Sequence, residues 1–167
     1  MDPDSLRFLF DGITFSQPVF TDYIVLAVGL LLLLCSATVS ASEAAFFSLS
    51  PADLSSIENR EHRSDDVIMS LRDDCERLLA TILIANNLVN VAIISTVNYF
   101  IYQWIKFDMP VVEFIFTTVI LTFLLLLFGE VMPKIYSASC SLAFCRSTAP
   151  LLKSIVYIFH PFASMLM

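Results

Sequence analysis

Three stretches of this chain are apolar over the length of a bilayer, at about 23–47, 78–104 and 110–131. A helix needs about 20 mainly apolar residues to cross the hydrocarbon layer, so each run is long enough to do so. No other feature restricts the fold as much. Composition agrees, since 57% of the 167 residues are hydrophobic and only 15% are charged. A soluble chain of this size cannot bury so much apolar surface. The sequence therefore predicts an all-α, multi-pass membrane protein.

The polar connections give the order of the parts. Residues 1–22 form an N-terminal segment in which Asp2, Asp4 and Asp11 outweigh Arg7, so it lacks the basic start of a cleaved signal peptide. The membrane domain is expected over 23–149, with a strongly polar helical loop at 50–77 between the first two spans. Within that loop, Ser50-Pro51-Ala52-Asp53 reads as an N-cap followed by proline at the first helical position. Arg60, Arg63, Arg72, Arg77, Lys134, Arg146 and Lys153 lie on one side of the predicted spans, against Arg7 and Lys106 on the other. Positive charge stays on the cytoplasmic side, which puts the N-terminus outside and the C-terminus inside. Residues 150–167 are apolar and aromatic but interrupted by Lys153 and His160-Pro161. They read as an interfacial helix leading into a cytosolic domain, with a fourth span as the weaker choice.

Candidate chemistry begins at Phe128-Gly129-Glu130-Val131-Met132-Pro133-Lys134, at the end of the third apolar run. A carboxylate near hydrocarbon costs roughly 2.5–3.5 kcal/mol on insertion scales. It therefore calls for a cation, a basic partner or water, and the headgroup layer could supply the last. Glycine loosens the helix, and Pro133 lacks a backbone donor, so the sequence predicts a break with unpaired carbonyls beside Glu130. On the first span, Ser36 and Ser40 stand one turn apart, with Glu43 on the same stripe. Such hydroxyls either ligate a hard cation or bond back to their own helix. On the second span, Asn86 and Asn90 are also i, i+4, with Asn87 between them. Carboxamide oxygens there serve either as cation ligands or as interhelical glue. Thr117, Thr118 and Thr122 read as packing. Glu113 and the acids Asp65, Asp66, Asp73, Asp74 and Glu76 read as solvated faces.

Other classes lack support in the sequence. A net charge of −7 opposes nucleic-acid binding, which wants a basic face. Cys35, Cys75, Cys140 and Cys145 lack zinc-type pairing and read as small hydrophobes. No nucleophile–base pair or phosphate loop is present, so no enzymatic activity is expected.

Ser-Ala-Thr-Val-Ser-Ala-Ser-Glu-Ala-Ala at 36–45, Asn-Asn-Leu-Val-Asn at 86–90 and Phe-Gly-Glu-Val-Met-Pro-Lys at 128–134, in that order on three spans, resemble the transmembrane domain (DUF21) of the CorC/CNNM family of magnesium transporters. Some bacterial relatives carry gliding-motility or haemolysin-like names. The resemblance implies a homodimer in the bacterial inner membrane, exporting Mg²⁺ in exchange for Na⁺, with ATP bound only by cytosolic CBS domains beyond residue 167. It also implies a cation site made by the hydroxyls of Ser36 and Ser40, the amides of Asn86 and Asn90, the carbonyl of Gly129 and the carboxylate of Glu130. Relatives often carry glycine where this chain has Ala41 and Ala85. The competing reading is a non-transporting membrane anchor for a cytosolic, motility or secretion partner.

Overall fold

The computed structural model describes residues 13–17, 19–60 and 62–166. Asp2, Asp4, Arg7, Asp11 and the side chain of His160 lie outside that description. The first long helix, α1 (Phe20–Phe47), has 28 residues and so runs about 42 Å. It starts where the Asp22 carboxylate accepts the N–H of Val19 at 2.8 Å, pairing one donor that a helix start otherwise leaves free. Helix α2 (Pro51–Glu58) begins as the sequence predicts. Ser50 Oγ accepts the Asp53 N–H at 3.2 Å while the Asp53 carboxylate accepts the Ser50 N–H at 2.9 Å, a reciprocal capping box. At the start of helix α3 (Arg63–Asp73) the Asp65 carboxylate likewise accepts the His62 N–H at 2.9 Å, without a bond in return from the His62 side chain.

Helix α4 (Cys75–Trp104) leads into a short strand, β2 (Ile105–Phe107), paired antiparallel with β1 (Ile13–Phe15). Thr14 faces Lys106 in this ladder, and Ser16 N–H donates to Trp104 O at 2.9 Å. The chain is otherwise predominantly helical, and this ladder is the one departure from the all-α expectation among the described residues.

The third long element differs from expectation. Helix α5 (Pro110–Leu124) passes into a π-helical segment, Leu125–Val131, and then into α6 (Met132–Ser139). The chain stays helical through Gly129 and Pro133, and the predicted break at 131 is a widened turn in a helix reaching Ser139. In the π-segment the Met132 N–H donates to Leu127 O, five residues back. The extra residue in the turn accommodates the proline without interrupting the helix. Helix α7 (Ser141–Leu166) begins before the predicted residue 150. Among the described residues four helices are long and apolar enough to cross a membrane: Phe20–Phe47, Cys75–Trp104, Pro110–Ser139 and Ser141–Phe159.

Helix α1 packs mainly on α4 and on the π-segment with α6. A methyl at Gly29 would lie 3.6 Å from Thr96 Cγ2, at ordinary contact distance from α4. Ala41 and Ala85, where relatives often carry glycine, are both buried. The main core lies at the α2–α3 end, where Val39 and Phe46 meet Ile57, Ile68, Leu78, Ile82, Cys145 and Leu152. Leu30, Leu31, Leu83, Val91, Phe114, Val119 and Phe123 remain exposed. An apolar surface of that extent belongs against lipid.

Asp65 departs from its predicted place on a solvated face: it is fully buried. Arg146 of α7 donates to it through Nε at 2.8 Å and Nη2 at 3.0 Å, and also reaches Ser56 Oγ at 3.4 Å. These bonds from Arg146 hold the Asp65 carboxyl below its ordinary range, against the upward push of burial. One guanidinium thus joins α2, α3 and α7.

Candidate cation site

Ser36 sits at the centre of the polar cluster because its stripe of α1 faces both α4 and the π-segment. It is fully buried. Its Oγ lies 3.1 Å from Asn86 Oδ1 and 2.9 Å from Asn90 Oδ1. Asn90 Nδ2 donates to Glu130 Oε1 at 3.4 Å. Because a carboxylate only accepts, Asn90 must turn its amino group to Glu130 and its oxygen to Ser36. Three oxygens therefore converge with one hydroxyl proton among them. The one hydroxyl proton serves one amide oxygen: with the Asn86 oxygen turned to Ser36 the remaining lone pairs face one another, an arrangement that a cation relieves, and with its amino group turned there the cluster is satisfied without an ion.

Two further candidates are Gly129, beside the cluster, and Ser40, one turn along α1 from it. A Cβ at Gly129 would lie 3.4 Å from Ser36 Oγ and 3.8 Å from Leu33 Cδ1, so the absence of a side chain leaves the space beside the hydroxyl open. Ser40, one turn along α1, is fully buried and its Oγ has no hydrogen-bond partner. Such a group ordinarily costs about 1–3 kcal/mol. By contrast, Ser42 bonds back to Thr38 O at 2.7 Å, the inert behaviour of a membrane serine. Of the three asparagines, Asn87 is exposed and stands apart from the cluster. Among the described residues no three His, Cys, Asp or Glu side chains gather as a metal cluster. The donor set is neutral oxygen plus one carboxylate, which suits hard cations.

Glu43 does not join Ser36 and Ser40. It accepts from Lys134 Nζ at 2.9 Å, tying α1 to α6 below the site. The sequence carried a signal for this pair that spacing on single helices does not use. Glu43 follows Ser36 by seven residues and Lys134 follows Glu130 by four, so both fall on the site's own stripes, two turns and one turn further along. The carbonyl at Gly129 also acquires a physical basis. Pro133 has no N–H, which deprives Gly129 O of its partner in α register, or Phe128 O in the π register seen at Met132.

Gly129→Ala separates space from stability. The added methyl meets its neighbours at ordinary contact distance, and alanine gains up to about 1 kcal/mol over glycine in a helix. The variant should melt no lower than the parent but bind Mg²⁺ at least about 5-fold more weakly, since the methyl occupies the side of Ser36 that a ligand would approach. Titration calorimetry and a melting curve on the same sample check both halves.

The fold and this cluster define a multi-pass membrane domain with an oxygen-lined site where three long helical elements meet. The model of the cyclin M transmembrane N-terminal domain (CNNM) matches residues 27–167. A UPF0053 protein of Haemophilus influenzae is 31% identical over 149 residues, covering 87% of this chain and 33% of that relative. The chain belongs to the CorC/CNNM family, as its three motifs suggested. It spans about a third of the length of the curated relative it matches.

Proposed function

We propose that this domain binds Mg²⁺ among Ser36, Ser40, Asn86, Asn90, Gly129 and Glu130 and carries it out of the cell in exchange for Na⁺, as part of a homodimer in a bacterial inner membrane. The observation that carries this reading is the convergence of the Ser36, Asn86 and Asn90 oxygens beside Glu130. Mg²⁺ takes oxygen ligands and gives up its waters reluctantly, so neutral oxygens with one carboxylate suit a partly hydrated ion in transit. The same set, with one formal negative charge, also suits Na⁺, and occupancy by each ion in turn is the basis of exchange. No bond of a substrate is broken, and the role is transport rather than catalysis.

The charge distribution supports an outward N-terminus. Arg146 pairs with Asp65 of α3, and Lys153 lines one cavity with Arg77 and Ser70. Both cations of α7 therefore lie against the polar α2–α3 end. We accordingly place α7 along the cytoplasmic surface, despite its length.

A second reading has one observation in its favour: the Ser36 bonds already cross-link α1 and α4, as helix glue in a non-transporting anchor would. Full-length protein in Mg²⁺-loaded liposomes under an inward Na⁺ gradient decides between them. Release of Mg²⁺ that follows the gradient is expected, and no release sinks the transport reading. Ser40→Ala discriminates further. Removing an unpaired buried hydroxyl leaves the ion-free protein as stable or up to about 1 kcal/mol more stable, whereas Mg²⁺ protection against thermal unfolding falls. Protection equal to the parent's would exclude Ser40 from the ligand set.

A further inference from the structure

The end of the bundle remote from α2 and α3 contains a cavity of about 520 Å³ between α4 and α5. Its polar wall is Asn98 of α4 with Glu113, Thr117, Thr118 and Thr122 of α5. The three threonines read from sequence as packing and Glu113 as a solvated face, yet all four share one wall with Asn98. Glu113 and Thr117 are i, i+4, as are Thr118 and Thr122, giving two adjoining rows. Among the described residues none of the five side chains makes a hydrogen bond or an ion pair.

Three hydroxyls elsewhere in the long helices bond back to their own helix, whereas Ser40 and Thr81, also without a partner, are fully buried rather than cavity-facing. Thr38 donates to Leu34 O at 2.7 Å, Ser95 to Val91 O at 2.9 Å and Thr96 to Ala92 O at 2.8 Å. In hydrocarbon that bond is the default, because nothing else can satisfy the group. Hydroxyls that forgo it and face a cavity beside a carboxylate belong to water. The volume admits roughly 15 water molecules at liquid density. The floor is apolar, formed by Ile94, Leu121 and Leu125. Leu125 Cδ2 also stands 3.8 Å from the position of a Cβ on Gly129. Leu125, one turn before Gly129 on the same helix, thus lines the cavity and also adjoins the cation cluster.

We propose that this cavity is a water-filled outer vestibule for the hydrated cation exchanged at Glu130, with Glu113 as its attracting charge and Leu125 as the closed constriction beneath it. The proposal rests on the transport reading, and its test has a readout that does not depend on transport. Thr118→Cys is introduced into the full-length protein in sealed vesicles. Impermeant thiol reagents of positive and of negative charge are applied from the N-terminal side, and labelling is measured above that of the unsubstituted protein. Thr118→Cys labels, and the cationic reagent reacts about tenfold faster, the effect expected of one carboxylate several Å away in a wet site. Adding Glu113→Gln removes the difference. Should Thr118→Cys not fold, Thr117→Cys on the same wall replaces it.

Absence of labelling from that side overturns the vestibule, as do equal rates for the two reagents with Glu113 present. Spontaneous disulfide formation between two copies at this position also overturns it, making the wall a contact between subunits. Flux that survives Glu130→Ala removes Glu130 from the ion's path and leaves the labelling result to stand by itself. Flux abolished by Glu130→Ala in a protein whose Thr118→Cys is unreactive sinks the vestibule alone.

Discussion

Glu130→Ala lowers Na⁺-driven Mg²⁺ release from proteoliposomes about 100-fold or more. Two unit charges 4 Å apart interact by roughly 4 kcal/mol at the effective dielectric of a partly buried site, and loss of about 2.7 kcal/mol is already a factor of 100. Glu130 supplies the formal charge nearest the three oxygens around Ser36, with Asn90 bonded to its Oε1 at 3.4 Å. Glu130→Gln keeps the volume and an acceptor for Asn90 but removes the charge. It should therefore fold like the parent and still lose most of the flux. Initial rates of Mg²⁺ release, read beside melting temperatures without ion, separate this from a folding defect. Glu130→Gln with parental flux would mean that the charge does not hold the ion.

The largest loss of stability should come from Asp65→Ala, well away from the cation cluster. Asp65 is fully buried, and the change leaves Arg146, whose side chain is 16% exposed, without its carboxylate. Removing one member of a buried pair costs roughly 3–5 kcal/mol, because the other charge stays uncompensated. Replacing both, as Asp65→Ala with Arg146→Met, should recover much of that loss. Denaturant or thermal unfolding in detergent gives both values, and a single variant as stable as the parent removes the pair from the account. The pH dependence follows from the same bond. Arg146 holds the Asp65 carboxyl below its ordinary value of 3.8 in the folded protein. A depressed folded value means that the stabilisation is fully present above the unfolded value and is lost as pH falls through the folded one. The difference between parent and Asp65→Ala should therefore be constant near neutral pH and shrink as the medium is acidified below about pH 4.

What could be read in advance was local. Membrane-length runs, the Ser50 cap and the i, i+4 spacing of Asn86 with Asn90 depend on neighbours in sequence; the structure forms the cap, turns both asparagines to Ser36 and makes the three runs helical, with the third extended to Ser139 and a fourth helix of spanning length added. Partners were another matter. Arg146 lies 81 positions from Asp65, and nothing near either residue indicates that an acid in a polar loop will be enclosed by a helix much later in the chain. Asn86 and Asn87 look equivalent in sequence, and only the direction of α4's contact with α1 decides which faces Ser36. The π-segment was misread because glycine and proline rules describe an isolated helix. Here Gly129 lies against Ser36 and Leu33, and packing maintains helical backbone where propensity alone would release it. The β1–β2 ladder, three residues on each side, is too short to register as alternation.

The widened turn at Leu125–Val131 has a geometrical meaning beyond its tolerance of proline. A π turn takes up about one residue more than an α turn, and one residue corresponds to about 100° of azimuth and 1.5 Å of rise. Everything after Val131 is thereby set out of phase with α5 by more than a quarter revolution while the helix hardly changes in length. Glu130 lies within the segment and Lys134 four residues further on, so the widening sets the azimuth at which the first faces Asn90 and the second Glu43. Deleting one residue of the segment ahead of Glu130 would shorten the helix by a trivial distance and swing both charges away from their partners. The segment works as an angular spacer, and its information lies in residue count rather than in side chains.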